Sequence, residues 1–188
     1  MSKNLLELPA DLPVPEDDGA AAHLNGMRFP DIALPSTAGG AIVLSRLSGR
    51  SVVYAYPRTG VPGEASLDEN WEMIPGARGC TPQSCAFRDH HGELGDAGAR
   101  VFGLSTQDTA FQRAAVERLH LPFQILSDDR LELTRALDLP VMVVADVTLM
   151  KRFTLVIRDG VIEHVFYPVF PPDRHAEAVL GWLRENPA

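Results

Sequence analysis

The chain has 188 residues, of which 45% are hydrophobic and 22% are charged, as expected for one globular domain with a substantial core. Its formal net charge of -8 argues against a protein that binds nucleic acid or an anionic membrane surface. The N-terminus has no signal-peptide pattern and no stretch is apolar enough to span a membrane, so we expect a cytoplasmic protein. In that reducing compartment a cysteine pair is more often catalytic or metal-binding than structural.

The first third of the chain predicts a surface arm, a short hairpin and one buried strand. Residues 1–26 are rich in proline, aspartate and alanine, and we interpret them as an arm that lies on the surface ahead of a single domain over 27–188. A hairpin is predicted around the Ala-Gly-Gly turn at 38–40. The apolar, β-branched and aromatic run at 51–56 predicts a central buried strand.

A long loop over 57–79 follows this strand, with glycine and proline at intervals. Loops of this length inside a compact domain are usually functional. Because the loop ends at the first cysteine, we expect it to border a functional site.

Both cysteines lie within the seven residues Gly-Cys-Thr-Pro-Gln-Ser-Cys at 79–85. A helix is predicted from Thr81, which would be its N-cap, with Pro82 at the first helical position, and it is expected to continue to Leu94. Cys80 would then lie beside the positive end of the helix dipole, which favours the reactive thiolate. In a regular helix residues at this spacing have Cα atoms about 8–9 Å apart, beyond the disulfide limit of about 7 Å. We therefore predict a pair that is reduced when helical and bonds only when this turn unwinds.

The rest of the chain predicts alternating strands and helices and then a β-rich end. Strands are predicted at 100–105, 122–126, 152–157 and 161–167, and helices at 108–119, 131–137 and 171–185. The last two strands flank Arg158-Asp159-Gly160, a favourable hairpin turn. This order predicts an α/β fold with a central mixed sheet flanked by helices, and a site at the carboxyl end of a central strand.

The stretch 75–89, Pro-Gly-Ala-Arg-Gly-Cys-Thr-Pro-Gln-Ser-Cys-Ala-Phe-Arg-Asp, resembles the site of Q-type peroxiredoxins, the bacterioferritin comigratory protein group of the redoxin superfamily. The likeness continues at 101–106, 126–128 and 152–157 and covers residues 27–186. It implies a thioredoxin-like fold with an N-terminal hairpin extension. It also implies a thiol peroxidase that acts on hydrogen peroxide and organic hydroperoxides without a metal or other cofactor.

The resemblance also implies roles for individual residues. Cys80 would be the peroxidatic cysteine and Cys85 the resolving cysteine, joined after oxidation in an intramolecular disulfide. Arg152 matches the active-site arginine, whose permanent charge would stabilise the thiolate and hold a peroxide oxygen. The alternative is a surface arginine at the start of a strand. Thioredoxin or a similar dithiol would reopen the disulfide, and the relatives include monomers and homodimers.

The chain departs from the family pattern just before Cys80. Family members carry a short Pro-x-x-x-Thr/Ser-x-x-Cys loop, whereas this chain has an insertion at about 60–78, and Ala77 stands where the family has a hydroxyl. Thr59 is the candidate to supply that hydroxyl if the insertion bulges outward, with a plain loop threonine as the alternative. We interpret the insertion as a lid or as a surface for a partner.

Three other functions are weighed against the peroxidase. A zinc site that combines the cysteines with His90 and His91 is disfavoured, because cysteines on one regular helix do not converge on one ion. A disulfide oxidoreductase usually carries the shorter Cys-x-x-Cys spacing. In a redox-sensing module the helix would melt on oxidation. That function does not explain why an arginine stands at position 152, where the family has its active-site arginine. Peroxide turnover separates the peroxidase from all three.

Overall fold

The computed structural model describes residues 5–187 and shows an α/β fold. Its strands are β1 (Leu34–Pro35), β2 (Ala41–Ile42), β3 (Arg50–Ala55), β4 (Ala99–Ser105), β5 (Gln124–Ser127), β6 (Val141–Val144), β7 (Val147–Met150), β8 (Phe153–Arg158) and β9 (Val161–Phe166). Its helices are α1 (Cys80–Asp89), α2 (His91–Asp96), α3 (Thr109–Leu119), α4 (Glu132–Leu137) and α5 (His175–Glu185). Within the described range no helix has the length and apolar character needed to cross a membrane.

The central sheet has five strands in the order β5-β4-β3-β8-β9. β3, β4 and β5 run parallel, whereas β8 and β9 join antiparallel. β3 occupies the middle and every one of its residues is buried, as expected for an apolar run covered on both faces. The predicted mixed sheet and its central strand are therefore confirmed. The predicted hairpin is also present, as the short antiparallel pair β1 and β2.

Two apolar cores cover the two faces of the sheet, because successive side chains of a strand point to opposite sides. Val52 and Tyr54 pack in the core formed with α1 and α5. Val53 and Ala55 pack in the core formed with α4 and with Leu24 from the N-terminal arm. The helix that carries the cysteines is thus mounted on the central strand.

The N-terminal arm is docked along the domain from residue 5 onward, and residues 1–4 of the predicted arm lie outside the described residues. Asp18 accepts hydrogen bonds from Lys151 Nζ at 2.5 Å and from the Tyr167 hydroxyl at 2.6 Å. His23 Nε2 lies 2.8 Å from the carbonyl oxygen of Leu137. These contacts attach the end of the arm to the sheet, and the boundary at 26 stays a prediction.

The helix with the cysteines begins and ends at other residues than predicted. α1 starts at Cys80 with Gly79 as its N-cap, and no side chain caps it, so the assignment of Thr81 as N-cap is wrong. Gly79 has φ of 108°, and a Cβ there would lie 2.4 Å from Pro172 Cγ, which leaves room for glycine alone. The helix also does not continue to Leu94, because His90 leaves the helical conformation with φ of -97° and ψ of 7° and α2 follows as a separate helix.

No sequence signal predicts the hairpin of β6 and β7. Its turn residues Ala145 and Asp146 both have positive φ, 48° and 61°, although Asn-Gly and Asp-Gly are the usual sequences for such turns. Contacts from elsewhere in the fold stabilise the hairpin in place of a favourable turn sequence. Val144 and Leu149 of the hairpin form an apolar cluster with Trp71 from the long loop. The hairpin therefore serves as the platform on which the insertion rests.

Arg50 at the start of β3 is buried, and Glu163 on β9 balances its charge. Arg50 donates through Nε and Nη2 to the two carboxylate oxygens of Glu163 at 2.9 and 2.8 Å. Removing one partner of a buried pair leaves an uncompensated charge, so we expect Glu163→Ala to lower the free energy of unfolding by about 3 kcal/mol. Urea denaturation measures this loss.

The matched control is Asp31→Ala, which removes an ion pair with Arg46 whose side chains are 58% and 70% exposed. An exposed pair contributes about 1 kcal/mol or less, so this variant should remain close to the wild type. Equal losses in both variants would contradict the structural importance of the Arg50 pair.

Candidate active site

Cys80 occupies a buried position at the first residue of α1, next to the carboxyl end of the central strand. Its side chain is 3% exposed and packs in the same core as Tyr56, the residue that follows β3. The Cys80 thiol donates to the carbonyl oxygen of Ala77 at 3.6 Å. This placement agrees with the rule that α/β sheets carry their sites beyond the carboxyl ends of their strands.

Arg152, just before β8, brings its guanidinium to the Cys80 sulfur. Arg152 is 3% exposed, and its Nη2 lies 3.3 Å from Cys80 Sγ. The same nitrogen donates to the carbonyl oxygens of Gly76, Ala77 and Arg78 at 3.2, 3.4 and 3.2 Å. The guanidinium therefore holds the chain before Cys80 and contacts the sulfur at the same time.

The charge of Arg152 is buried without a carboxylate in ion-pair contact among residues 5–187. Its hydrogen-bond partners among the described residues are three carbonyl oxygens, the side-chain oxygen of Gln83 and the Cys80 sulfur, and its Nε has no hydrogen-bond partner there. A buried charge is costly unless an opposite charge compensates it. A thiolate at Cys80 would supply that charge, because the sulfur is in contact with the guanidinium.

Cys85 lies further along α1, and both cysteines are free thiols. Burial raises the pKa of the Cys85 thiol above its ordinary value, and the nearby charge of Arg88 lowers it in part. Cys85 is therefore held as a protonated thiol while α1 is intact. The two cysteines thus differ in environment: Cys80 is buried beside the buried guanidinium of Arg152, whereas Cys85 is partly exposed and lies near Arg88 and Asp89.

Aromatic contacts fix the middle of α1 on the sheet. The rings of Tyr54 and Phe87 stack with centroids 4.3 Å apart, and the Tyr54 hydroxyl donates to Ser84 Oγ at 3.0 Å. These contacts lie beyond the first turn of the helix. The first turn instead depends on Arg152 and on the packing of Gly79.

The comparisons with known proteins agree with this geometry. The profile of the Redoxin family matches residues 24–180. The chain is 32% identical over 163 residues to the putative chloroplastic peroxiredoxin Q of Oryza sativa subsp. indica, which covers 85% of this chain and 66% of that protein. It is 30% identical over 161 residues to the chloroplastic peroxiredoxin Q of Sedum lineare, which covers 85% of this chain and 77% of that one. The chain belongs to the redoxin family, in its peroxiredoxin Q group.

Solved structures of this family share the fold. Peroxidoxin BcpB from Mycobacterium tuberculosis is similar with a TM-score of 0.68 and 27% identity, over 87% of this chain and 98% of that one. Peroxiredoxin Q from Xanthomonas campestris is similar with a TM-score of 0.66 and 24% identity, over 94% and 97%. The thioredoxin-like fold is therefore confirmed. The chain spans just under two thirds of the length of the rice relative, 66%.

Thr59, predicted to supply the missing hydroxyl of the family loop, forms its side-chain hydrogen bond with Gln107 rather than with Cys80. Its hydroxyl and its backbone N–H both donate to Gln107 Oε1, at 3.1 and 3.0 Å. The hydroxyls that line the Cys80 cavity belong instead to Ser66 and Thr81. The structure thus brings Arg152 to Cys80, whereas it directs the Thr59 hydroxyl to another partner.

Gln83 is a site residue that the sequence analysis does not single out. It is fully buried, and its side-chain oxygen accepts a hydrogen bond from Arg152 Nη1. Gln83 follows Cys80 by three positions on α1, so the two side chains share one helix face. The sequence signal for the hydrogen bond with Arg152 is the long amide side chain of Gln83, three residues after Cys80.

The histidines that follow Cys85 have other partners than a metal ion. His90 Nδ1 lies 2.9 Å from Glu93 Oε1, and the His91 ring packs 5.8 Å from that of Phe123. Within residues 5–187, no group of three or more His, Cys, Asp or Glu side chains is placed to hold a metal ion.

A buried histidine lies close to Arg152. His175 at the start of α5 has its Nε2 2.8 Å from Thr154 Oγ1. Burial and, to a smaller extent, the positive charge of Arg152 lower the pKa of His175 to about 3. His175 is therefore neutral in the folded protein over the physiological pH range.

We predict that His175→Gln flattens the pH dependence of stability below pH 6.5. The unfolded chain binds a proton at this histidine below its ordinary pKa of 6.5, whereas the folded chain does so only near 3. The wild-type free energy of unfolding therefore loses about 1.4 kcal/mol per pH unit from this group as the pH falls, and nothing above pH 6.5. Between pH 7 and pH 5 the free energy of unfolding of the variant should fall by about 2 kcal/mol less than that of the wild type. Urea denaturation at both pH values gives the comparison, and parallel curves would contradict it.

Proposed function

We propose that the protein is a thiol peroxidase that reduces hydrogen peroxide and organic hydroperoxides through Cys80 and then forms an intramolecular disulfide with Cys85. The observation that carries the proposal is the buried guanidinium of Arg152, 3.3 Å from the Cys80 sulfur and without a carboxylate partner among the described residues. Membership of the peroxiredoxin Q group supports the same chemistry.

In the first step the Cys80 thiolate attacks one oxygen of the peroxide. The S–O bond forms while the O–O bond breaks, so the sulfur is oxidised to a sulfenic acid and the peroxide is reduced. The leaving oxygen takes up a proton and departs as water or as an alcohol. Negative charge moves from the sulfur to the leaving oxygen, and the fixed guanidinium of Arg152 is placed to stabilise that charge as it develops.

In the second step Cys85 resolves the oxidised site. Both cysteines lie on one helix, where this spacing holds their Cα atoms about 8–9 Å apart, beyond the disulfide limit. The first turn of α1 therefore unwinds, the Cys85 sulfur attacks the Cys80 sulfur, and the sulfenic oxygen leaves as water. Unwinding also exposes the Cys85 thiol to solvent. This exposure removes the burial that raises the pKa of Cys85 in the intact helix.

A dithiol of the thioredoxin type completes the cycle in this proposal. Its thiolate attacks the Cys80–Cys85 disulfide, and a second exchange releases both cysteines as thiols and the partner as a disulfide. Only the thiols of this chain and of the partner take part, so the cycle uses no metal or other cofactor. The cytoplasmic location and a monomeric or homodimeric state stay predictions.

Cysteine variants test the assignment of roles. Cys80→Ser should abolish peroxide consumption in the presence of thioredoxin and its reductase. Cys85→Ser should consume one equivalent of peroxide and then stall, because the sulfenic acid has no resolving partner and oxidises further to the sulfinic acid. Intact mass after each addition identifies these products. Sustained turnover by Cys85→Ser with thioredoxin would contradict the resolving role.

Arg152→Gln should slow the reaction of the reduced protein with hydrogen peroxide by about 100-fold to 1,000-fold, as removal of one charge-stabilising donor does in other active sites. Arg152→Lys should lose less, because it keeps the charge but not the planar set of donors. Stopped-flow measurement of peroxide loss gives both rates.

The matched control is Lys151→Gln, which removes the neighbouring cation that pairs with Asp18 rather than with Cys80. Its rate should remain that of the wild type. A wild-type rate in Arg152→Gln would leave Arg152 a purely structural residue.

A further inference from the structure

Cys80 opens into a small cavity rather than onto an open surface. The cavity that it lines measures about 50 Å³, which accommodates about four water-sized molecules. One wall is the start of α1, with Gly79, Cys80 and Thr81, and the opposite wall comes from the long loop, with Trp71, and from Phe111 on α3. Hydrogen peroxide fits in such a space, whereas an aryl-substituted hydroperoxide requires the walls to move.

The wall contributed by the long loop is anchored from both sides. Trp71 is 7% exposed and packs with Val144 and Leu149 of the β6–β7 hairpin. Near the start of the insertion, the carbonyl oxygen of Gly60 accepts a hydrogen bond from Arg118 Nη2 of α3 at 2.9 Å. Opening the cavity therefore means breaking apolar packing at one end or a hydrogen bond at the other.

The N-terminal arm contributes to the lining of this cavity. Leu5 lines it and packs on Gly60, where an added Cβ would lie 3.4 Å from Leu5 Cδ2. The insertion and the arm, which both line the cavity beside the cysteine motif, thus narrow the access to Cys80 together.

A larger cavity nearby does not relieve this restriction. It measures about 260 Å³ and is lined by Gly76, Met142 and Arg152 among others, but not by Cys80. Arg152 lines this cavity and also contacts the three carbonyl oxygens of 76–78. Because Cys80 does not line it, an apolar tail bound there occupies a different cavity from the one beside the sulfur.

We propose that the insertion at 60–78, with Trp71 as its main wall, restricts the Cys80 site to hydrogen peroxide and small alkyl hydroperoxides. Bulky hydroperoxides are discriminated against because they displace Trp71 from its packing before they reach the sulfur. This inference rests on the proposed peroxidase function and specifies the substrates of the same site.

The test is a comparison of rates across peroxides of increasing size. Single-turnover rate constants of the reduced full-length protein are measured with hydrogen peroxide, tert-butyl hydroperoxide and cumene hydroperoxide. The rate should fall with size, and cumene hydroperoxide should react about 100-fold more slowly than hydrogen peroxide. In Trp71→Ala the ratio of the cumene to the hydrogen peroxide rate should rise about tenfold or more.

Met73→Ala is the matched control, because Met73 lies in the same loop but is 67% exposed and does not line the cavity. Its ratio should equal that of the wild type. Leu5→Ala enlarges the same cavity without a change at Trp71. It replaces Trp71→Ala as the test if thermal melting shows that Trp71→Ala is unfolded. The ratio of the cumene to the hydrogen peroxide rate should also rise in Leu5→Ala.

The outcomes separate this inference from the proposed function. Equal rates for hydrogen peroxide and cumene hydroperoxide in the wild type would overturn the size restriction and leave the peroxidase intact. An unchanged ratio in the folded Trp71→Ala or Leu5→Ala variants would overturn the assignment of the wall. Failure to consume any of the three peroxides faster than a free thiol would overturn the peroxidase itself.

Discussion

The contact between the buried guanidinium of Arg152 and the Cys80 sulfur is the interaction on which the site depends. Its Nη2 holds the three carbonyl oxygens of 76–78 and also lies 3.3 Å from the sulfur. The charge has no carboxylate partner among the described residues, and in the proposed cycle a Cys80 thiolate would balance it. One side chain therefore contacts both the loop before Cys80 and the sulfur. His175, neutral and buried beside this charge, adds no second cation.

The site combines a rigid scaffold with a segment that must open in the proposed cycle. Tyr54 and Phe87 stack and anchor the middle of α1 on the central strand, whereas the first turn depends on Arg152 and on Gly79. The arm contacts this same region, since Arg78 Nη2 donates to the carbonyl oxygen of Glu7 at 3.1 Å. In the proposed cycle the enclosure would protect the thiolate and select its substrate, and resolution by Cys85 would require the enclosure to loosen. The division between an anchored helix body and a separately held first turn allows both.

Features carried by local patterns were predictable from the sequence, and those created by tertiary contacts were not. The apolar run at 51–56 predicts the central strand, because the length and the apolar character of a strand are local properties of the sequence. The cysteine motif indicates the family, and the resemblance to that family then indicates Arg152. The helix start at Cys80 was missed because Gly79 is fixed by its packing against Pro172. The partner of Thr59, Gln107, lies 48 positions away, so no local pattern indicates it.

The most direct test of the central claim is to mix the pre-reduced protein with one equivalent of hydrogen peroxide, follow peroxide loss by rapid mixing and determine the product by intact mass and peptide mapping. The account predicts loss much faster than that of a free thiol, a mass lower by two hydrogens and a single peptide bridge between Cys80 and Cys85. Loss at the rate of a free thiol, or a product in which Cys80 is oxidised without a bridge to Cys85, would contradict it.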